Sequence, residues 1–592
     1  MTGVIDRALL DFWLWDWLDA GALLTRAQYG GHDRGGVNAM LDTAARLADS
    51  HFLDHWKTSD REEPRLENGQ VRVLPAVKRA LATYAEAGFA AASFAPAHGG
   101  LGLPSLICTA ITSQFMAANI ATASYAMLTA GNAALLTHFG NEAQVNCFAL
   151  PQIEGRWTGT MCLSEPQAGS SLGDITTRAV PDGEDHLGPR YRLTGNKMWI
   201  SGGDHDAAEN IVHLVLAKIP GVDEKLIAGP KGISIFIVPK YRPDAGGNPG
   251  ARNDIAVAGL NHKMGFRGTS NCLLNFGETG GALGWRVGDE GQGLAVMFHM
   301  MNGARIGVGL GAGALGYRGY RLALDYARTR TQGRAPGAGT NGGQVPIIEH
   351  ADIRRMLLAA KSYTEGALAL SLWCARLEDE ERSAETAAAR AQATAWLGLL
   401  TPVAKTWPSE YGLAANDIAI QIHGGYGYTR DFDVEQLYRD NRLNPIHEGT
   451  TGIQALDLLG RKLLRDEGAV MDQFFAHITT RITGHALAPQ AETLRRAMAD
   501  FRTALAGADT PAGQAVILGN ATPMLWAFGH IVMGFIWLDL AGAARKQEKE
   551  FAQGQIATAI YFCAYEIPKI SAWLSPVIAG VSLPVEMKST WF

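Results

Sequence analysis

Two runs in the middle of this chain constrain its fold more than any other feature. Ile211-Val212-His213-Leu214-Val215-Leu216-Ala217 and Gly232-Ile233-Ser234-Ile235-Phe236-Ile237-Val238 are unbroken, β-branched and apolar, and turn formers bound them. Runs of this length and composition read as strands. On either side the texture is helical, with 3.6-residue spacing at 41–48 and 77–82 before them and from Leu294 onward after them. A β-rich block set between helical blocks points to an α+β multidomain protein.

At 592 residues the chain is too long for one compact core, and three or four domains are expected. The texture changes divide it into an N-terminal helical domain at 1–156, a barrel-like or sandwich β-domain at 157–288, a helical bundle at 289–465 and a further helical domain at 466–592. Within the β-domain, Gly195-Asn196 is a turn signal and reads as the tip of a hairpin over 191–200. In the first helical domain the spacing predicts one helix at 105–118 and another at 125–139, after a Gly/Pro loop at 96–104. In the bundle, the Gly- and Ala-rich stretch 303–326 predicts a helix packed closely on its neighbours, and 337–343 reads as a flexible loop. Helices are predicted at 348–377, 387–400 and 409–422, with Pro402 and Pro408 interrupting between the last two.

A net charge of −6 gives no electrostatic case for nucleic acid or an anionic membrane as the main partner. The six cysteines form no CxxC pair, which argues against a metal knot or a disulfide framework and for a reducing cytoplasm. The apolar run at 12–18 contains Asp16 between Asp11 and Asp19 and does not read as a leader. Residues 524–538 carry no Asp, Glu, Lys or Arg, but 15 residues fall short of the roughly 20 that cross a bilayer. A buried helix or subunit contact is expected there, not an integral membrane segment; a membrane-docking patch is the alternative.

The chemistry gathers at Pro445-Ile446-His447-Glu448-Gly449-Thr450-Thr451-Gly452-Ile453-Gln454. A lone carboxylate, Glu448, is delivered by a loop to a helix start among apolar residues. Burial raises a carboxyl pKa, so such a group is basic enough to act as a general base. A Glu near a helix N-terminus also serves as a cap or complements the helix dipole. Three other segments share its Gly-rich, hydroxyl-rich character: Met161-Cys162-Leu163-Ser164-Glu165-Pro166-Gln167-Ala168-Gly169-Ser170-Ser171, Lys197-Met198-Trp199-Ile200-Ser201-Gly202-Gly203 and Gln421-Ile422-His423-Gly424-Gly425-Tyr426-Gly427.

These four segments, in this order, resemble the acyl-CoA dehydrogenase family, over about residues 80–465. The tail beyond 465 resembles the longer bacterial members with an extra C-terminal helical domain, a group that includes 3-methylmercaptopropionyl-CoA dehydrogenases and broad-range fatty acyl-CoA dehydrogenases. The resemblance implies FAD as cofactor, an acyl-CoA substrate oxidised to a trans-2-enoyl-CoA, an electron-transfer flavoprotein as acceptor, and a homodimer. It assigns the cofactor to Met161, Leu163, Ser164, Gly169, Ser170, Trp199, Ser201, Arg330, Gln421, Gly424, Gly425 and Thr450. It makes Glu448 the catalytic base and puts Arg305, His447 and Gly449 at the substrate; no metal is implied. Family members usually carry Thr at the Ser164 position, and some place the base in a Glu-Arg pair that falls here on Ala304-Arg305. Ala304 accepts no proton, which leaves Glu448. Arg305 also reads as a helix-surface arginine and His447 as a packing residue. An acyl-CoA or nitroalkane-type flavin oxidase, and a non-catalytic flavoprotein that binds acyl-CoA, are the rival readings.

Overall fold

The computed structural model describes residues 4–335, 337, 342–465 and 468–592; the loop foreseen at 337–343 and the boundary foreseen at 465/466 lie largely outside them. The chain forms two compact units. One comprises Met1–Val4, Gly35–Pro104 and Gln114–Ala304, the other Ile5–Arg34, Ser105–Ser113 and Arg305–Phe592.

The first unit is built on an eight-stranded sheet: β1 (Trp157–Cys162), β2 (Arg178–Asp185), β3 (Gly188–Ser201), β4 (Asn210–Lys218), β5 (Ile233–Pro239), β6 (Ile255–Leu260), β7 (Asn271–Phe276) and β8 (Ala282–Val287). The order is β6-β7-β3-β8-β5-β4-β1, with β2 paired to β3 and β4. Pairing is antiparallel except for β1 beside β4 and the single contact of β2 with β4. Every residue of β4 and β5 is buried. Val212, Leu214 and Leu216 enter one apolar core, while Val215 and Ala217 enter another. The runs are continuous because both faces of these strands are covered.

The hairpin expected over 191–200 does not form. β3 runs unbroken from Gly188 to Ser201 and changes partner along its length, pairing β8 through 190–193 and β7 through 195–201. Gly195 marks the change for a steric reason: a Cβ there would lie 2.5 Å from Thr177 Oγ1. The two helices expected at 105–118 and 125–139 are joined as Ser105–Phe139, with Asn119 alone outside helical geometry. Asn119 Oδ1 accepts from Thr122 N, so it caps the second segment within the run. Further along, Asn132 Nδ2 donates to Thr160 O and Val212 O and fixes this helix to β1 and β4.

The second unit is helical. Its bundle contains α1 (Gly293–Thr329, from Arg305 on), α2 (Ala351–Ser383) and α3 (Ala387–His423). The close packing expected of the Gly/Ala-rich stretch is present. A Cβ on Gly316 would come within 2.9 Å of Gly412, and one on Gly309 within 1.8 Å of Ala404 O. The break expected between 400 and 409 is absent, because α3 continues through Pro402 and Pro408. Pro408 has no N–H to offer the carbonyl four residues back, which is Ala404 O. Gly309 packs its Cα–H against that same carbonyl, a weak donor in place of the missing one.

Beyond the bundle lie α4 (Val434–Asn441), α5 (Thr451–Leu456), α6 (Ala469–Ile482), α7 (Ala488–Leu505), α8 (Ala521–Ala544), α9 (Lys549–Tyr561) and α10 (Lys569–Ile578). Among the described residues, two helices, Ser105–Phe139 and α8, are long and apolar enough to cross a membrane, but their most apolar windows are 83% and 89% buried within the protein. In α8, Phe528, Phe535 and Trp537 are core residues, and Trp537 Nε1 donates to Ser362 O on α2.

Candidate active site

Each unit carries one constellation of the residues singled out by sequence. In the first, β1 ends at Cys162 and the chain turns at once, with Glu165 and Ala168 exchanging both backbone hydrogen bonds. Glu165 is 3% exposed and Lys197 fully buried, and they pair at 2.9 Å. The Glu165 carboxylate also accepts from the N–H and hydroxyl of Thr176 and of Thr177. Burial pushes its pKa up, but Lys197 and these donors outweigh burial and bring it to about 2. Lys197 Nζ also donates to Leu163 O, and Met198 N donates to Ser164 O. The Ser164 turn is therefore clamped to β3 from both sides.

What the clamp presents is unsatisfied. The Ser164 hydroxyl has no hydrogen-bond partner among the described residues, and Ser201 Oγ accepts only from Asn271 Nδ2. Trp199 is 59% exposed and held at φ +66°, a conformation unusual for an aromatic residue. Gly169 and Ser170 are exposed, and a Cβ on Gly169 would meet nothing. Met161 and Leu163 are half-buried at the edge of the sheet core. An open aromatic plate beside free hydroxyls and an uncrowded glycine turn suits a flat, partly apolar ring with hydrogen-bonding edges and a phosphate tail. FAD has that chemistry.

In the second unit, Glu448 sits in the turn between α4 and α5 at φ +53°, followed by Gly449 at φ +88°. Gln454 Nε2 donates to Glu448 O and closes the turn; a Cβ on Gly449 would stand 2.6 Å from that nitrogen, so glycine is required. The N–H groups of Glu448 and Gly449 have no acceptor among the described residues. Thr450 is the N-cap of α5, its hydroxyl turned to Ile453 N. Glu448 retains some exposure as a residue, but its carboxyl is crowded enough that burial raises the pKa above the ordinary carboxylate value, against the pull of Lys405 and Arg305.

His447 and Arg305 each have a side-chain partner in this unit. His447 Nε2 faces Asn444 Oδ1 at 3.0 Å, and burial together with Lys405 brings its pKa to about 3, so it is neutral. Arg305 is not on a helix surface: it is 5% exposed and bonds Asp457 at 3.0 Å. Elsewhere in this unit Arg330 stacks over Tyr426 at 5.8 Å, beside the loop of Gln421, Gly424 and Gly425. Gly424 at φ +60° ends α3, and neither it nor Gly425 has any atom within 4 Å of a built Cβ.

Sequence reasoning missed the three asparagines and the lysine beneath Glu448. Asn416, Asn441 and Asn444 form a buried ladder, with Asn441 Nδ2 donating to Asn416 Oδ1 and Asn444 Nδ2 to Asn441 Oδ1. Lys405 Nζ donates to Asn444 O. The signal available in the sequence was a lone lysine within the apolar stretch 396–408.

Comparison with known proteins gives consistent matches along the chain. Family models match at 37–155 (acyl-CoA dehydrogenase, N-terminal domain), 160–279 (middle domain), 291–464 (C-terminal domain) and 471–588 (acetyl-CoA dehydrogenase C-terminal like). The 3-methylmercaptopropionyl-CoA dehydrogenase of Ruegeria pomeroyi is 37% identical, with 90% of this chain and 91% of the relative covered. The broad-specificity linear acyl-CoA dehydrogenase FadE5 of Mycobacterium tuberculosis is 32% identical, with 95% of each covered. The fold is shared with an acyl-CoA dehydrogenase of Bacillus anthracis solved with FAD, at TM-score 0.74 and 21% identity over 98% of this chain and 92% of that one.

Proposed function

The chain belongs to the acyl-CoA dehydrogenase family, and from that premise we propose that Glu448 is the base of an FAD-dependent α,β-dehydrogenation of an acyl-CoA thioester. The observation that carries this assignment is the Glu448 turn: a crowded carboxyl with a raised pKa, fixed by two consecutive positive-φ residues and by Gln454. Strain of this kind costs on the order of 1–3 kcal/mol and persists where the surroundings over-determine it.

Glu448 removes the α-proton of the thioester and becomes the neutral acid. The chemistry that bound FAD would supply is an acceptor for the β-hydrogen, which leaves as hydride. Loss of the Cα proton and the Cβ hydride leaves the trans-2-enoyl-CoA, so atoms and electrons balance. The unpartnered N–H groups of Glu448 and Gly449 are suited to the thioester carbonyl oxygen, where negative charge grows as the α-proton leaves. Ser164, Ser201 and Trp199 would hold the ring, with Gly169 and Ser170 at the phosphates. The exposed loop at Gln421, Gly424 and Gly425, with Arg330 beside it, is suited to a dinucleotide held by a second copy of the chain, which supports a homodimer. An electron-transfer flavoprotein fits as acceptor, and six free cysteines support a cytoplasmic setting. We take 1–156, 157–288, 289–465 and 466–592 as the four domains.

The test is Glu448→Gln with anaerobic flavin bleaching by butyryl-, octanoyl- and 3-methylmercaptopropionyl-CoA. The variant is expected to keep its flavin and to lose about 10²–10⁴-fold in reduction rate. Near-normal bleaching would end the assignment.

A further inference from the structure

Of the two buried cations that act on the base, Lys405 has no carboxylate within ion-pair distance among the described residues. It is fully buried, in mid-helix on α3, and its only hydrogen-bond acceptor among the described residues is Asn444 O at 2.7 Å. Arg305, the other cation that acts on Glu448, is already neutralised by Asp457 at 3.0 Å, which Arg461 approaches at 3.6 Å. No carboxylate lies within ion-pair distance of Lys405 among the described residues. The anions that act on it are Glu448 and then Glu410, and Glu410 accepts from Thr451 Oγ1 at 2.5 Å. His447 is neutral and adds no charge.

The backbone contact matters as much as the charge. Asn444 is the last rung of the asparagine ladder, which Asn441 and Asn416 tie to Ala312 O and Leu315 O on α1. Lys405 closes that ladder from α3. The turn bearing Glu448 thus hangs from two helices, and the ammonium that helps hold it is the unpaired charge.

We propose that Lys405 is a positioning residue for the base: its ammonium anchors the turn through Asn444 O and its charge keeps the Glu448 carboxylate ionised in the resting enzyme. This rests on the reading of Glu448 as base. A nearby opposite charge favours the ionised carboxylate, and after burial the Lys405 charge is the largest influence on Glu448, opposing the rise. Burial in turn lowers the Lys405 pKa to about 8, with Glu448 and Glu410 opposing and Arg305 adding to the fall, so the cation is lost on the alkaline side.

The experiment compares Lys405→Gln, which keeps a donor for Asn444 O without charge, and Lys405→Arg, which keeps charge at all accessible pH, with wild type and Glu448→Gln as holoenzymes. Two readouts are taken against pH. One is kcat/KM with butyryl-CoA. The other is the infrared carboxylic-acid band that Glu448→Gln abolishes. In Lys405→Gln the acid limb and the band midpoint should both move up by about one pH unit or more. In Lys405→Arg, which keeps the charge, the acid limb and the band midpoint should both stay. An unmoved band midpoint in Lys405→Gln overturns the proposal. If Lys405→Gln does not fold, a band midpoint that moves up by about one pH unit or more in Lys405→Arg, where the charge is kept, overturns it. Loss of turnover in Glu448→Gln alongside unmoved Lys405 variants refutes only the role of Lys405; retained turnover in Glu448→Gln refutes the base itself.

Discussion

Gly309→Ala tests the geometry on which the Glu448 site depends. A Cβ at Gly309 would stand 1.8 Å from Ala404 O and 2.9 Å from Ala404 C, where real Cβ contacts do not fall below 3.0 Å. The obstacle is backbone, so no rotamer change relieves it, and α1 and α3 must part by about 1 Å. Overpacking costs about 1–3 kcal/mol, and a clash with a carbonyl belongs at the upper end; the better helix propensity of Ala returns about 1 kcal/mol. A net loss of about 2 kcal/mol is expected, seen as a drop in Tm of a few degrees. The functional loss should be larger. Gly309 lies one turn beyond Arg305, and Ala404 precedes Lys405, so parting the helices separates the two cations around Glu448. Displacement near 1 Å at a reacting site costs on the order of 10²-fold in rate. The assay is flavin reduction rate by butyryl-CoA with Tm and flavin content. Gly303→Ala in the same helix is the control, since nothing lies within 4 Å of its Cβ position. It should be neutral or stabilising by up to about 1 kcal/mol. A Gly309→Ala protein with wild-type Tm and rate would refute the reasoning.

Lys197→Met should destabilise the first unit by about 3–5 kcal/mol, because it strands the Glu165 carboxylate in the core, and should release the flavin; a Tm scan and the flavin-to-protein absorbance ratio check both. The same pair sets an acid limit. Glu165 is held at about 2 against an unfolded value near 4.5, so its contribution is complete above the unfolded value and is lost as pH falls toward 2, which a Tm-versus-pH series will trace. Glu448 runs the other way. Its raised pKa means that the folded state holds the proton more tightly, so ionisation costs stability as pH rises through and beyond the unfolded value of 4.5. Glu448→Gln should therefore raise Tm at pH 7, and the gain should vanish below about pH 4.

Periodicity and composition carried the architecture a long way. Short runs rich in β-branched and apolar residues between turn formers announce strands, and β4 and β5 were legible for that reason. The misreadings have local causes. Gly195-Asn196 carries the composition of a turn, but here glycine serves clearance from Thr177 within a strand that changes partners. Pro402 and Pro408 are breakers in isolation, yet burial in a bundle, with Gly309 against Ala404 O, lets α3 run through them. The base was legible from its turn, while its support was not. Lys405 lies 43 residues before Glu448, and Asn416 lies 25 before Asn441; no short motif records such pairings.

The two constellations share one device. In each, a fully buried lysine donates to a backbone carbonyl of the segment that presents the functional side chain: Lys197 to Leu163 O beside Ser164, and Lys405 to Asn444 O before Glu448. In each, a large or charged residue is then held at positive φ, Trp199 at +66° and Glu448 at +53°. The difference lies in the counter-ion. Lys197 is matched by Glu165 at 2.9 Å, and a matched pair in a core is a structural clamp with no charge left to act at a distance. Lys405 has no carboxylate within ion-pair distance among the described residues, so its field falls on Glu448 and, less strongly, on Glu410. The distinction predicts that Lys197→Met and Lys405→Gln fail in different ways. The first will lose Tm and flavin with the pH dependence of any surviving rate unchanged. The second will keep its flavin and shift the acid limb. Matching behaviour in the two variants would mean that both lysines are clamps and that burial alone sets the basicity of Glu448.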